Sequence, residues 1–194
     1  MRHLLTGLLT AGLVLLASPA VAVSTAVSPG TASANGEAGL LEHELRRLHS
    51  SEVVDLQERL GGAPLLLVNT ASRCGFTGQF EGLEALHQRY HERGLRVAGF
   101  SSNDFNQEID EEGAAEVCFV NFGVTFDMFA PIAVRGPDAH PLFAELARQS
   151  EAPRWNFTKY LVNADGEVVA HFGSSVRPES RQMRRAIEAL LADH

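Results

Sequence analysis

The chain holds two cysteines in 194 residues, and no second cysteine stands near the first. Three residues after Cys74 comes Thr77. The absence of a Cys-x-x-Cys pair excludes the local dithiol chemistry of a thioredoxin proper. Positive charge is also scarce: Lys and Arg number 16 against 24 Asp and Glu, for a net charge of -8. No long basic cluster interrupts that balance, which argues against nucleic acid as a partner. His87 and His91 stand one helical turn apart, yet no third metal ligand lies near them in sequence. They read as a solvated helix face, and no metal or cofactor is expected. No internal repeat is present. The one long apolar run, from Leu4 to Ala17, is shorter than the roughly 20 residues a spanning helix needs.

That run follows Met1-Arg2-His3 and precedes Ser18-Pro-Ala20-Val-Ala22. A positive start, an apolar centre and small residues at the end form a secretory signal peptide pattern, with cleavage expected after Ala22. There is no twin arginine, and no cysteine follows the leader to carry a lipid. Secreted or periplasmic localisation without stable membrane insertion is therefore expected. Residues 23–39 are rich in Ser, Ala, Thr and Gly and read as a flexible linker. The folded domain is expected over residues 40–194. A hydrophobic content of 45% and a charged content of 21% are ordinary for a globular protein.

Within the domain, Leu41 to Leu48 fits either a strand or a helix. Leu65 to Asn69 is continuously apolar up to its last residue and reads as a buried central strand. Thr77 to Arg93 reads as a helix, because Phe80, Leu83, Leu86 and Tyr90 recur at three- and four-residue steps. Gly94 should end it. Leu95 to Phe100 is the next buried strand, which completes a parallel βαβ unit. A second helix is expected over Glu111–Phe119, a third strand near Met128–Ala133 and a short helix over His140–Arg148. Lys159–Val162 and Val168–Phe172 flank the turn Asn163-Ala-Asp-Gly166 and read as a hairpin. An amphipathic helix over Pro178–Ala192 closes the chain. This order fits an α/β, thioredoxin-like three-layer α/β/α sandwich.

Cys74 sits where the first buried strand gives way to the first helix. Backbone N–H groups and the helix dipole at such a turn favour a thiolate. A lone thiolate there suits attack on a peroxide oxygen, which converts it to a sulfenic acid. A small buried core residue is the plainer alternative.

The segment Asn69-Thr-Ala-Ser-Arg-Cys-Gly-Phe-Thr77, followed by Phe80-Glu-Gly-Leu-Glu-Ala-Leu86, resembles the signature of the glutathione peroxidase family. Members that use cysteine rather than selenocysteine are the nearer match. Gly99-Phe-Ser-Ser-Asn-Asp-Phe105 is similar to the second block of that family. Phe122-Gly-Val-Thr-Phe126 with Met128-Phe129 is similar to its third, and Trp155-Asn-Phe-Thr-Lys159 to its fourth. The resemblance runs from about Leu40 to His194, and four ordered blocks are far more specific than one.

The resemblance implies a catalytic tetrad of Cys74, Gln107, Trp155 and Asn156. Indole and carboxamide N–H groups are donors that can stabilise a thiolate and orient a peroxide oxygen. Each also has a plainer reading: Trp155 as a core aromatic, Gln107 as a surface amide. The loop around Gln107 is about two residues shorter than the family pattern and lacks its glycine and proline. Asp127 stands where the family usually has proline. Gln79 is nearer to Cys74 but is expected to face solvent on the first helix. Asn156-Phe-Thr158 also spells a glycosylation sequon, which a buried site role sets aside. Cys118 lies near where thioredoxin-using members carry a resolving cysteine, so a Cys74–Cys118 disulfide is implied; a small core residue is the alternative.

The resemblance thus implies an exported thiol peroxidase acting on hydrogen peroxide and organic or lipid hydroperoxides. Its reductant would be a thioredoxin-like protein or glutathione. The short stretch from Leu142 to Trp155 favours a monomer fed by a thioredoxin-like protein. An oxidant sensor or thiol-transfer protein without turnover is the alternative.

Overall fold

The computed structural model describes residues 39–193. The expected leader, and the expected linker up to its last residue, lie outside them. Among the described residues no helix is long and apolar enough to cross a membrane.

The domain opens with a hairpin of β1 (Glu44–Arg46) and β2 (Val53–Asp55), paired antiparallel. The ambiguous stretch after Leu41 is thus an extended segment. The Asp55 carboxylate caps α1 (Leu56–Leu60) by accepting from the Glu58 N–H at 2.9 Å. β3 (Leu65–Thr70) follows, then α2 (Gln79–Tyr90), a 3-10 turn (His91–Arg93) and β4 (Arg96–Ser101). Gly94 ends the helical segment in the left-handed region at φ 101, as a glycine there can. α3 (Glu111–Ala115), β5 (Asp127–Phe129), α4 (Pro141–Gln149), β6 (Lys159–Val162), β7 (Val168–Phe172) and α5 (Arg181–Ala192) complete the order.

Five strands form one sheet in the order β5-β4-β3-β6-β7. β3 pairs parallel with β4, and β4 with β5; β6 pairs antiparallel with β3, and β7 antiparallel with β6. Successive side chains of a strand point to opposite faces, and β3 shows the consequence. Leu66 and Val68 pack with Phe80, Leu83, Leu86 and Tyr90 of α2 and with Met183 and Ile187 of α5. Leu65 and Leu67 pack on the other face with Leu56 and Leu60 of α1 and with Leu142, Phe143 and Leu146 of α4. A sheet apolar on both faces and covered by helices on both is the three-layer sandwich expected.

Besides α2, which starts at Gln79 rather than Thr77, three elements differ from expectation. The third strand stops at Phe129 because Pro131 has no N–H for a ladder, and the chain turns away: Ala130 N–H donates to the Arg46 carbonyl at 2.9 Å. The helix expected over Glu111–Phe119 is α-helical only to Ala115. It continues as a π-helical turn over Glu116–Asn121, in which Phe122 N–H reaches back five residues to the Val117 carbonyl at 3.2 Å. The last helix starts at Arg181, where the Ser180 hydroxyl caps the Met183 N–H at 3.2 Å.

Asp127, out of keeping with the family's proline, has a local use. It accepts a bidentate bond from Arg59, whose Nε lies 3.0 Å from Oδ2 and whose Nη2 lies 2.9 Å from Oδ1, and it pairs with Arg47 at 3.5 Å.

Candidate active site

Cys74 leaves the C-terminal end of β3, where parallel strands of an open sheet commonly place a site. Between Ala71 and Gly78 the chain makes tight turns before α2 begins. The Thr77 hydroxyl lies between the carbonyls of Ala71 (3.0 Å) and Cys74 (2.8 Å), which share its single O–H, and accepts from the Cys74 N–H at 3.1 Å. One side chain therefore ties both ends of the turn. The Cys74 side chain is buried at 8% exposure. Its Sγ accepts a hydrogen bond from the Phe76 N–H at 3.4 Å. The helix opens at Gln79 rather than Thr77, so a turn amide, not a helix end, faces the sulfur. Among the described residues no side-chain donor makes a hydrogen bond to Sγ.

Asn69, the fifth residue of β3, grips the opposite wall. Its carbonyl accepts from the Phe157 N–H at 2.7 Å and its Oδ1 from the Thr158 N–H at 3.0 Å. Its Nδ2 donates to the Trp155 carbonyl at 3.2 Å. Three bonds from one residue hold the Trp155–Thr158 segment against the end of the sheet. Phe157, fully buried, sits at φ 61. A bulky residue in the left-handed region carries strain that the surrounding bonds must hold, and such strain collects at functional sites.

The third wall is the loop after β4. The Gln107 carbonyl accepts from the Arg73 N–H at 2.9 Å, so this shortened loop touches the Cys74 turn directly. Glu108 fixes it further. Its Oε1 accepts from the N–H groups of Ser72 and Ile109, each at 3.0 Å, and its Oε2 accepts from the Ser101 hydroxyl at 2.7 Å. Asn106 takes φ 55, which asparagine tolerates better than most residues.

These walls bring Gln107 and Asn156 together: the Asn156 Nδ2 donates to the Gln107 Oε1 at 3.1 Å. Asn156 is fully buried, and its Oδ1 has no hydrogen-bond partner. A buried, unpaired amide oxygen costs free energy unless a ligand or water completes it. Such burial also keeps the sequon at Asn156 out of reach in the folded chain. Trp155 is half-exposed and packs on Phe105 with ring centroids 5.1 Å apart; Arg135 lies over the Phe105 ring at 4.9 Å.

Cys118 occupies the π-helical turn, 2% exposed, and both cysteines are free thiols. Both belong to the same apolar layer between the sheet and α2. Burial, with a smaller contribution from Glu108, pushes the Cys118 thiol up to about 12. By contrast its neighbours Phe119 and Val120 are exposed.

Gln79 corrects the expectation of a solvent-facing amide. It is buried, with its Nε2 donating to the Ser174 carbonyl at 2.6 Å and its Oε1 accepting from the Lys159 ammonium. A cleft of about 350 Å³ opens beside the turn, lined by Phe76, Gln79, Arg177 and Glu179 with Gly75 and Gly78. Sequence reading singled out neither Glu108 nor Asn69 as a positioning residue. A glutamate next to Gln107, and an asparagine ending an apolar strand, were the available signals. His87 and His91 stack at 5.1 Å, and no metal-binding group of three or more His, Cys, Asp or Glu occurs among the described residues.

The chain is similar to known proteins in sequence and in fold. The family model described as "Glutathione peroxidase" matches residues 41–147. A glutathione peroxidase of Lactococcus lactis is 44% identical over 137 residues, covering 67% of this chain and 86% of that protein. A hydroperoxy fatty acid reductase of Synechocystis is 43% identical over 144 residues, covering 67% and 83%. Among solved structures, T. cruzi GPX1 superposes with a TM-score of 0.59 at 27% identity, covering 80% of this chain and 97% of that one. A match of this extent, on a thioredoxin-like sandwich with a lone cysteine after its central strand, places the chain in the glutathione peroxidase family.

Proposed function

We propose that the protein is an exported thiol peroxidase that reduces hydrogen peroxide and organic or lipid hydroperoxides through Cys74. The observation that carries this reading is the Gln107–Asn156 amide pair, with one buried oxygen left unpaired, in two walls bonded to the Cys74 turn at Arg73 and to the end of β3 at Asn69.

In the first step the Cys74 thiolate attacks one peroxide oxygen and the O–O bond breaks. The sulfur loses two electrons and becomes a sulfenic acid, and the departing alkoxide or hydroxide takes a proton to leave as alcohol or water. The Phe76 N–H stabilises negative charge on the sulfur before attack. The free Asn156 oxygen can accept the peroxide O–H. Turning both amides over together keeps their mutual bond and presents the Asn156 NH₂ in its place, a donor for the departing oxygen. The Trp155 indole N–H is a further donor at the half-exposed rim.

In the second step the Cys118 thiol displaces hydroxide from the sulfenic sulfur, giving a Cys74–Cys118 disulfide and water. A thiol pushed up to about 12 is a poor nucleophile while buried, so this step needs the π-helical turn to open. Two thiols of a reductant, a thioredoxin-like protein or glutathione, then return both cysteines to their starting state. A monomer suffices for every step.

Peroxide-dependent turnover with thioredoxin and with glutathione as donors, in wild type and Cys74→Ser, tests the proposal. Turnover with thioredoxin that vanishes in Cys74→Ser is expected. No turnover with either donor, or an undiminished rate in Cys74→Ser, contradicts it. A mixed disulfide trapped by Cys118→Ser without turnover would favour the sensor reading instead.

A further inference from the structure

Lys159 opens β6 and is fully buried, although it carries an ammonium group. Burying such a charge is costly unless it is bonded. Its three N–H groups have three acceptors: the Gln79 Oε1, the Val176 carbonyl at 2.7 Å and the Ser174 carbonyl at 3.5 Å. Burial pushes its pKa down to about 7, opposed by the Glu179 carboxylate. That carboxylate lies against α2, where a Cβ on Gly82 would come within 2.5 Å of it. One amine therefore ties β6, the start of α2 and the segment before α5.

Stability alone gives little reason for this choice. Replacing a buried charged group and its partner by apolar side chains of similar volume is often neutral or stabilising. The bonds of Gln79 lead elsewhere. Its side chain is held by Lys159 and Ser174, and its backbone N–H donates to the Phe76 carbonyl at 2.8 Å. Phe76 is the residue whose own N–H donates to the Cys74 sulfur at 3.4 Å.

We propose that Lys159 is a positioning residue for the reaction of Cys74. Acting through Gln79, it holds Phe76 so that its N–H stays aimed at the attacking sulfur. The amine donates to Gln79 whether charged or neutral. A shift of about 1 Å at a reacting group can cost on the order of 100-fold in rate, so a remote anchor of this kind carries weight. The proposal rests on the reading of Cys74 as the attacking sulfur.

The test uses the full chain in a Cys118→Ser background, so that only Cys74 reacts. Two rates are read for Lys159→Met, Gln79→Leu and Gln79→Glu: oxidation of Cys74 by hydrogen peroxide, and its alkylation by iodoacetamide. Circular dichroism verifies folding. Lys159→Met and Gln79→Leu are expected to slow the peroxide reaction by about tenfold or more and to slow alkylation as well, since the Phe76 N–H stabilises the thiolate that both reactions use. Gln79→Glu keeps the oxygen that accepts from Lys159 and should recover most of that loss. Folded Lys159→Met and Gln79→Leu proteins that react with peroxide at the wild-type rate overturn the proposal. So does a folded Gln79→Glu protein that reacts with peroxide no faster than Gln79→Leu, the mark of a role that does not run through the Gln79 oxygen. Where Lys159→Met does not fold, Gln79→Leu decides alone. Parent protein whose Cys74 is not oxidised by peroxide overturns the peroxidase reading, and this proposal with it.

Discussion

The two cysteines share one apolar layer yet sit in opposite kinds of structure. Cys74 lies in a turn braced from three sides: by the Thr77 hydroxyl, by the Arg73 N–H bonded to Gln107, and by Ser72 bonded to Glu108. A backbone N–H already meets its sulfur. Cys118 lies in a π-helical turn, an uncommon winding often found at functional sites, and its burial holds the proton on the thiol. Among the described residues none makes a hydrogen bond to its sulfur that would favour the thiolate. Under the proposed peroxidase reading the contrast amounts to a division of labour: one thiol is held ready, and the other must be released before it can react.

The largest effect expected from breaking this contrast is on the braced side. Cys74→Ser should lower peroxide turnover by about a thousandfold or more, because a hydroxyl does not replace a thiolate nucleophile. A steady-state assay with thioredoxin as donor measures it. Cys118→Ser should spare the first oxidation but reduce thioredoxin-driven turnover by roughly tenfold or more, with sulfenic acid accumulating on Cys74. Mass spectrometry after dimedone labelling reads that species, and its absence would count against a resolving role.

A milder break removes the brace and keeps both thiols. Glu108→Ala leaves the Ser72 N–H, the Ile109 N–H and the Ser101 hydroxyl without their acceptor. It should slow peroxide oxidation by about tenfold and cost about 1–2 kcal/mol of stability, seen together in stopped-flow and denaturant titrations. The smallest effect concerns Cys118 at alkaline pH. Its thiol stays protonated in the fold up to about 12 but ionises near 9.0 when unfolded. The unfolded state therefore binds fewer protons between these values, and stability falls as pH rises through that window. Between pH 9 and 10.5 the loss should be roughly 1–2 kcal/mol, and Cys118→Ala should be free of that contribution.

Much of this contrast could be read from sequence. The apolar run ending in Asn69 and the small residues around Cys74 gave the strand and the turn, and the helical spacing of Phe80, Leu83, Leu86 and Tyr90 gave α2. The order of strands and helices was enough for the sandwich. What remained hidden depends on partners far along the chain. Gln79 reads as exposed by residue type, because its partner Lys159 is 80 residues away. The brace from Glu108 to Ser72 spans 36 residues, and no local pattern announces it. The π-helical turn was invisible because the sequence through Cys118 carries no proline or glycine to mark a change of winding. The early end of β5 was legible in principle from Pro131.

Trp155, the one tryptophan of the chain, lies at the rim of the site and offers a built-in reporter. The central claim is that Cys74 is ready and Cys118 must be released. Stopped-flow tryptophan fluorescence after mixing reduced protein with hydrogen peroxide tests it most directly. The account predicts two phases: a fast one whose rate rises linearly with peroxide, and a slower one independent of peroxide that disappears in Cys118→Ser. A slow phase that persists unchanged in Cys118→Ser, or a first phase that saturates at the rate of the second, would contradict it.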